Sequence, residues 1–295
     1  KDKKDINFAL KEGVDFIALS FVRSESDVKE LRKILDKKNS SVKIISKIEN
    51  QEGLDNIHEI TKASDLVMVA RGDLGIETDL ADLPNIQRRI MYSTAKNGKR
   101  SIVATHLLES MIDNPTPTRA EVTDVANAIY EGADAVMLSG ETTVGNYPLK
   151  CVEMLKRIAL KTEEFRTLGY ERFLKSDSDW QNIALAARDL ASSIEANGIV
   201  VITRSGETAN VVSNTKPFRM PVFAFTDNDV TYNQLSLVGG MQPNRIPSLR
   251  TQSSAISMVK KILLDKYKMK KGFKFVLLAG VFSASHSDSL QIIKI

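Results

Sequence analysis

Lys47-Ile-Glu-Asn50, Ala70-Arg-Gly-Asp-Leu-Gly75 and Ala104-Thr105 each close an apolar run of β-type residues, and their placement decides how this chain folds. The run Val42-Lys-Ile-Ile-Ser-Lys-Ile48 has the β-branched composition of a buried strand. Side chains two apart on a strand share a face, so Lys47 and Glu49 point the same way. A cation and an anion at the end of a buried strand need a partner or a task, because burying an isolated charge is costly. The next run, Asp65-Leu-Val-Met-Val-Ala70, ends in Arg71, Gly72 and Asp73, which puts a second carboxylate at the equivalent end of the following strand. Taken alone, Lys47 with Glu49 reads equally as a structural ion pair or a catalytic pair. Convergence of two carboxylates and a lysine across neighbouring strands favours a site.

Working outward, strand-like runs begin near Asp15, Val42, Asp65, Ser101 and Asp134, with helical patterns between them. Over residues 24–37, Ser24 and Asp27 form a capping-box-like start, and Val28, Leu31, Ile34 and Leu35 repeat at helical spacing. Gly13, Gly98 and Gly132 close helices just before the next strand. This rhythm predicts an α/β fold with parallel strands. Polar residues gather after each strand: Ser20 and Arg23, Lys47 and Glu49, Arg71 and Asp73, Thr105 and His106, Ser139 and Glu141. Both a (β/α)8 barrel and an open doubly wound sheet build their sites at those strand ends.

The polar, turn-prone stretch Leu168-Gly-Tyr-Glu-Arg-Phe-Leu-Lys-Ser-Asp-Ser-Asp179 breaks the rhythm, and a second domain is expected over 168–295 after a first over 1–167. A helix over 180–196 leads into the strand Gly198-Ile-Val-Val-Ile-Thr203, a Ser205-Gly206 turn and a helix opening at Glu207 or Thr208. Strand, tight loop and helix start suit an anion, although any α/β protein has such turns.

Of 295 residues, 42% are hydrophobic and 26% charged, the balance of a soluble globular protein and enough for two domains. The single Cys151 cannot form an intramolecular disulfide and reads as an ordinary buried thiol. No apolar stretch reaches the ~20 residues that span a bilayer, and no signal peptide is visible. The net charge of +4 is modest, and the basic clusters near residues 1–4 and 266–274 lack stacking aromatics, so neither membrane nor nucleic acid is expected as a partner.

The order Ser20-Phe-Val-Arg23, Ile45-Ser-Lys-Ile-Glu-Asn50, Met68-Val-Ala-Arg-Gly-Asp-Leu-Gly75, Leu108-Glu-Ser-Met111, Pro117-Thr-Arg-Ala-Glu121 and Met137-Leu-Ser-Gly-Glu-Thr142 resembles the pyruvate kinase family. Gly145-Asn-Tyr-Pro148 follows the last strand as it does there, and Thr203-Arg-Ser-Gly-Glu-Thr208 is similar to a loop of that family's C-terminal regulatory domain. The resemblance implies a partial (β/α)8 TIM barrel of about five strands, followed by a three-layer α/β domain. It also implies that a lid domain, the first barrel strands, a substrate-binding arginine and the K⁺ site lie upstream, so that the chain by itself is expected to be inactive.

For activity, the resemblance implies phosphoryl transfer from phosphoenolpyruvate to ADP, giving pyruvate and ATP in a cytoplasmic, glycolytic homotetramer. Glu49 and Asp73 resemble the two ligands of Mg²⁺ or Mn²⁺, and hard carboxylate oxygens suit such an ion. Lys47 resembles the lysine that stabilises charge on the phosphoryl group in flight and on the enolate oxygen. Gly72 and Asp73 resemble the turn that meets the substrate carboxylate, and Thr105 the residue on the face where the enolate is protonated. Arg71, Ser139 and Glu141, with Thr142, are expected to orient the neighbouring groups.

His106 stands where the family more often has Gln and is read as a hydrogen-bonding substitute. Arg119 suits subunit contacts or the site entrance. His58 and His286 show no metal-ligand spacing. The loop of Thr203, Arg204, Ser205, Gly206, Glu207 and Thr208 resembles one that holds a sugar-phosphate effector. Glu207 and the segment Val281-Phe-Ser-Ala-Ser-His286 depart from the usual effector pattern. Two rival readings stay open: another Mg²⁺-dependent barrel acting on phosphoenolpyruvate or pyruvate enolates, and a non-catalytic binding or assembly module.

Overall fold

The computed structural model describes residues 2–175, 178–249, 251–280 and 289–295. The chain divides into two compact units, Lys1–Leu174 and Lys175–Ile295.

The first unit is built on a parallel sheet whose strands run in chain order: β1 (Phe16–Leu19), β2 (Lys43–Ile48), β3 (Leu66–Ala70), β4 (Arg100–Ala104) and β5 (Ala135–Met137). Parallel neighbours in sequential order require a crossover between each pair, and the helices Glu25–Asp36, Ile57–Ala63, Leu83–Lys96 and Arg119–Tyr130 supply them. The expected strand–helix rhythm is therefore present strand by strand.

Alternation along the strands sorts the two faces. Ile44 and Ile48 of β2, Val67 and Val69 of β3 and Val103 of β4 join Val28, Leu31, Leu35, Ile60 and Ile90 in one apolar core beneath the helices. Ile45 and Lys47 lie on the opposite face of β2, as period-two geometry demands. The helix Glu25–Asp36 starts on the capping box of Ser24 and Asp27. Left-handed Gly98 (φ 62°) and Gly132 (φ 87°) stop two later helices and turn the chain into β4 and β5.

The second unit has a five-stranded sheet in the order β10-β9-β6-β7-β8. Its members are β6 (Ile199–Ile202), β7 (Val222–Thr226), β8 (Met241–Arg245), β9 (Lys274–Ala279) and β10 (Ser289–Lys294), with β10 antiparallel to β9. One face packs Val201, Ala224 and Val276 against Ala184, Ala187 and Ala191 of the helix Asp179–Ser193. The other packs Val200, Phe223, Phe225 and Leu277 against Ala255, Val259 and Leu263 of the helix Gln252–Asp265. Helices cover both faces, giving three layers. The segment Val281-Phe-Ser-Ala-Ser-His286, expected to depart from an effector loop, lies outside the described residues.

Candidate active site at the ends of β2, β3 and β4

Register places the site. Ile48 of β2 pairs with Val69 of β3, and Ala70 of β3 with Ala104 of β4. Residues just past those positions, Glu49, Arg71 and Thr105, therefore emerge from one edge of the sheet.

Lys47 Nζ sits 2.6 Å from Glu49 Oε1 and donates to Ser20 Oγ at 3.2 Å. The Glu49 side chain is 1% exposed, and Phe21 N–H donates to its Oε2 at 2.6 Å. Its Oε1 makes no hydrogen bond, so this buried oxygen is neutralised by the ammonium charge without being saturated. A carboxylate in that state retains lone pairs for a hard cation.

Arg71-Gly72-Asp73 is the first turn of a short helix, Arg71–Glu77, that begins directly after β3, rather than a free turn. Asp73 is exposed, and its carboxylate makes no hydrogen bond or ion pair among the described residues. A Cβ added to Gly72 would meet Thr105 Oγ1 at 3.7 Å and His106 Cε1 at 3.8 Å, ordinary contacts, so the protein's own packing does not demand glycine there. The Gly72 N–H donates to Thr105 Oγ1 at 2.9 Å, and the Thr105 hydroxyl donates to Ala104 O at 2.6 Å. Among the described residues no cluster of three or more His, Cys, Asp or Glu side chains is arranged to hold a metal. The unbonded Glu49 Oε1 and the exposed Asp73 carboxylate are hard oxygen donors of the kind a divalent cation takes together with waters.

The residues expected to orient the site have partners of their own. Glu141, buried, accepts from Ser139 N at 2.7 Å and Leu108 N at 3.1 Å, tying the segment after β4 to the end of β5. Burial and the Glu141 charge push the Cys151 thiol up from its ordinary value, so Cys151 stays a neutral core residue. Arg71 donates to the backbone carbonyls of 104–106 and to the Asp124 carboxylate. His106 is exposed, with Nε2 3.6 Å from Glu109 Oε2. His58 Nδ1 lies 3.3 Å from Asn97 Nδ2, away from any metal-ligating partner among the described residues. Arg119 opens the helix Arg119–Tyr130.

Sequence reasoning placed Ser20 at a strand end without giving it a role, and did not single out Asp124. Ser20 was within reach, since pairing of Leu19 with Ser46 carries it alongside Lys47. Asp124 gave no local signal.

The chain matches the family model "Pyruvate kinase, barrel domain" over residues 1–152 and "Pyruvate kinase, alpha/beta domain" over 181–293. The chain belongs to the pyruvate kinase family. Among pyruvate kinase relatives, that of Mycobacterium tuberculosis (strain ATCC 25618 / H37Rv) is 41% identical over 280 residues, covering 95% of this chain and 59% of the relative. The pyruvate kinase of Bacillus licheniformis is 41% identical over 301 residues, covering 99% of this chain and 50% of the relative. A crystal structure of a pyruvate kinase from Cryptosporidium parvum superposes with a TM-score of 0.94 at 34% identity, over 99% of this chain and 61% of that one. The chain thus spans half to three fifths of the length of these pyruvate kinases.

In the second unit, the loop after β6 is largely self-satisfied. Thr203 Oγ1 accepts from Gly206 N at 3.0 Å, Ser205 Oγ from Glu207 N at 3.4 Å, and Thr208 is buried. Arg204 Nε stands 3.7 Å from Asp227 Oδ1, and its carbonyl accepts from Thr231 Oγ1 at 2.8 Å. The helix Glu207–Asn214 starts where expected, on left-handed Gly206.

Proposed function

We propose that this chain carries the phosphoryl-transfer centre of a pyruvate kinase, a phosphotransferase that moves the phosphoryl group of phosphoenolpyruvate to ADP and protonates the enolate to pyruvate. The observation that carries the reading is the Lys47 ammonium held at the end of β2 against the buried Glu49 carboxylate and the Ser20 hydroxyl. A fixed point charge there opposes the negative charge that builds on the transferring group and on the enolate oxygen.

In this reading Glu49 and Asp73 hold Mg²⁺ or Mn²⁺, which when bound screens phosphate charge and fixes substrate oxygens. Gly72 leaves space for the substrate carboxylate beside Thr105, and the Thr105 hydroxyl orders the proton relay on the face of the enolate. A pairwise carboxylate site beside a lysine suits a reaction in which positioning and electrostatics supply most of the acceleration. K⁺ dependence, a homotetramer and a cytoplasmic, glycolytic setting belong to the same proposal. A phosphorylated effector at 203–208 belongs to it too, with Arg204 its cation and Glu207 and Asp227 opposing it.

The test is a coupled pyruvate-formation assay on the complete protein with phosphoenolpyruvate, ADP, Mg²⁺ and K⁺. Pyruvate formation that needs both ADP and the divalent ion is the expected result. No turnover under any of these conditions overturns it in favour of a binding module. Turnover of phosphoenolpyruvate or pyruvate without ADP overturns it in favour of an enolate-chemistry barrel.

A further inference from the structure

Thr105 and His106 both have left-handed backbones, at φ 70° and 53°, although neither is glycine. Such a conformation is unfavourable for ordinary residues and persists where the surroundings impose it. The carbonyls of this stretch converge on Arg71. Its Nε lies 3.3 Å from Ala104 O and 3.2 Å from Thr105 O, and its Nη2 donates to Thr105 O at 2.5 Å and to His106 O at 3.3 Å. The remaining nitrogen, Nη1, meets both oxygens of Asp124 at 2.7 Å. The Arg71 side chain is 9% exposed, so this planar fork is enclosed rather than waving in solvent.

We infer that Arg71, braced by Asp124, is a positioning residue for Thr105. It forces the chain through two consecutive left-handed residues and thereby fixes where the Thr105 hydroxyl stands relative to Gly72. The geometry requires arginine. Three carbonyls and one carboxylate converge on a single guanidinium, and a lysine ammonium, with three donors at one point, cannot span them. The Arg71 side chain bonds the 104–106 carbonyls and Asp124 rather than Lys47, Glu49 or Asp73, so in this reading it acts through Thr105 and not on the reacting groups.

This inference rests on the proposed reaction, and the experiment separates the two. Wild-type protein is assayed first for pyruvate formation, and failure there removes the reaction without bearing on Arg71. The clamp is then read without turnover, as hydrogen exchange of the 104–111 backbone, and with turnover, as kcat against KM and as exchange of the pyruvate methyl protons with D2O. Arg71→Lys is expected to speed backbone exchange and to lower kcat and methyl-proton exchange about 10–100-fold, with KM for phosphoenolpyruvate moving much less. Adding His106→Gly, which enters the left-handed region without strain, is expected to recover a substantial part of the loss.

Should Arg71→Lys fail to fold, Asp124→Asn, which keeps one acceptor for Nη1, is expected to show the same pattern more weakly. Unchanged backbone exchange and kcat in Arg71→Lys overturn the inference. So does a loss of activity that appears in KM alone, or one that His106→Gly leaves untouched.

Discussion

Glu49 stands two residues beyond Lys47, just past the end of β2, and its Oε1 lies 2.6 Å from the lysine Nζ while making no hydrogen bond of its own. The pair combines a buried anion with a partly exposed cation, 1% against 25%, so the ammonium reaches toward solvent from a fixed root. The same carboxylate holds left-handed Phe21 through its N–H.

Glu49→Gln keeps an acceptor for Phe21 N–H while deleting the charge. Mn²⁺ affinity, followed by the paramagnetic resonance of the free ion, is expected to fall at least about 100-fold, since even indirect supports of a metal site cost about 10–100-fold. The melting temperature is expected to change far less than the affinity. Undiminished Mn²⁺ binding would remove Glu49 from the ligand set.

Gly72 separates stability from function. A methyl group there meets Thr105 and His106 at ordinary contact distance, and alanine suits a helix better than glycine. Gly72→Ala is expected to leave stability unchanged or raise it by up to about 1 kcal/mol. Phenomena at the site should run the other way, with KM for phosphoenolpyruvate rising in steady-state kinetics. A mutant equal to wild type in KM would show that the space beside Gly72 is unused.

Glu121 couples pH to stability. Burial alone would raise its pKa, but hydrogen bonds from the Ser110 hydroxyl and N–H and from Thr118 together outweigh it and hold the carboxyl below its ordinary value. A carboxylate depressed in the folded state stabilises the protein above the ordinary glutamate range and loses that contribution as pH falls through the folded value. Glu121→Gln is expected to cost about 1–2 kcal/mol at neutral pH and to flatten the acid limb of stability in denaturant titrations below about pH 5. An equally steep acid limb in the mutant would show that other carboxylates set it.

Much of this was legible in the chain itself. The five β-type runs became β1 to β5, and the Ser24–Asp27 box starts the helix Glu25–Asp36. Lys47 and Glu49 meet as the period-two reading expected, although Glu49 lies one residue past the end of β2. What sequence could not supply was contact at long range. Arg71 and Asp124 lie fifty-three residues apart on a helix start and a helix interior, and tertiary packing brings them together. Left-handed Phe21, Thr105 and His106 carry no local mark, since glycine or asparagine is the usual sign of that conformation. The partners of Glu141, Leu108 N and Ser139 N, are backbone groups that no residue pattern announces.

The most direct measurement is kcat for pyruvate formation by the complete protein beside its Lys47→Met variant, with Mn²⁺ binding as the control for an intact site. If Lys47 stabilises the charge that develops during phosphoryl transfer, kcat falls about 10²–10³-fold, the scale of losing one preorganised charge-stabilising group, while Mn²⁺ still binds. A variant that binds Mn²⁺ and turns over within twofold of wild type would contradict the account.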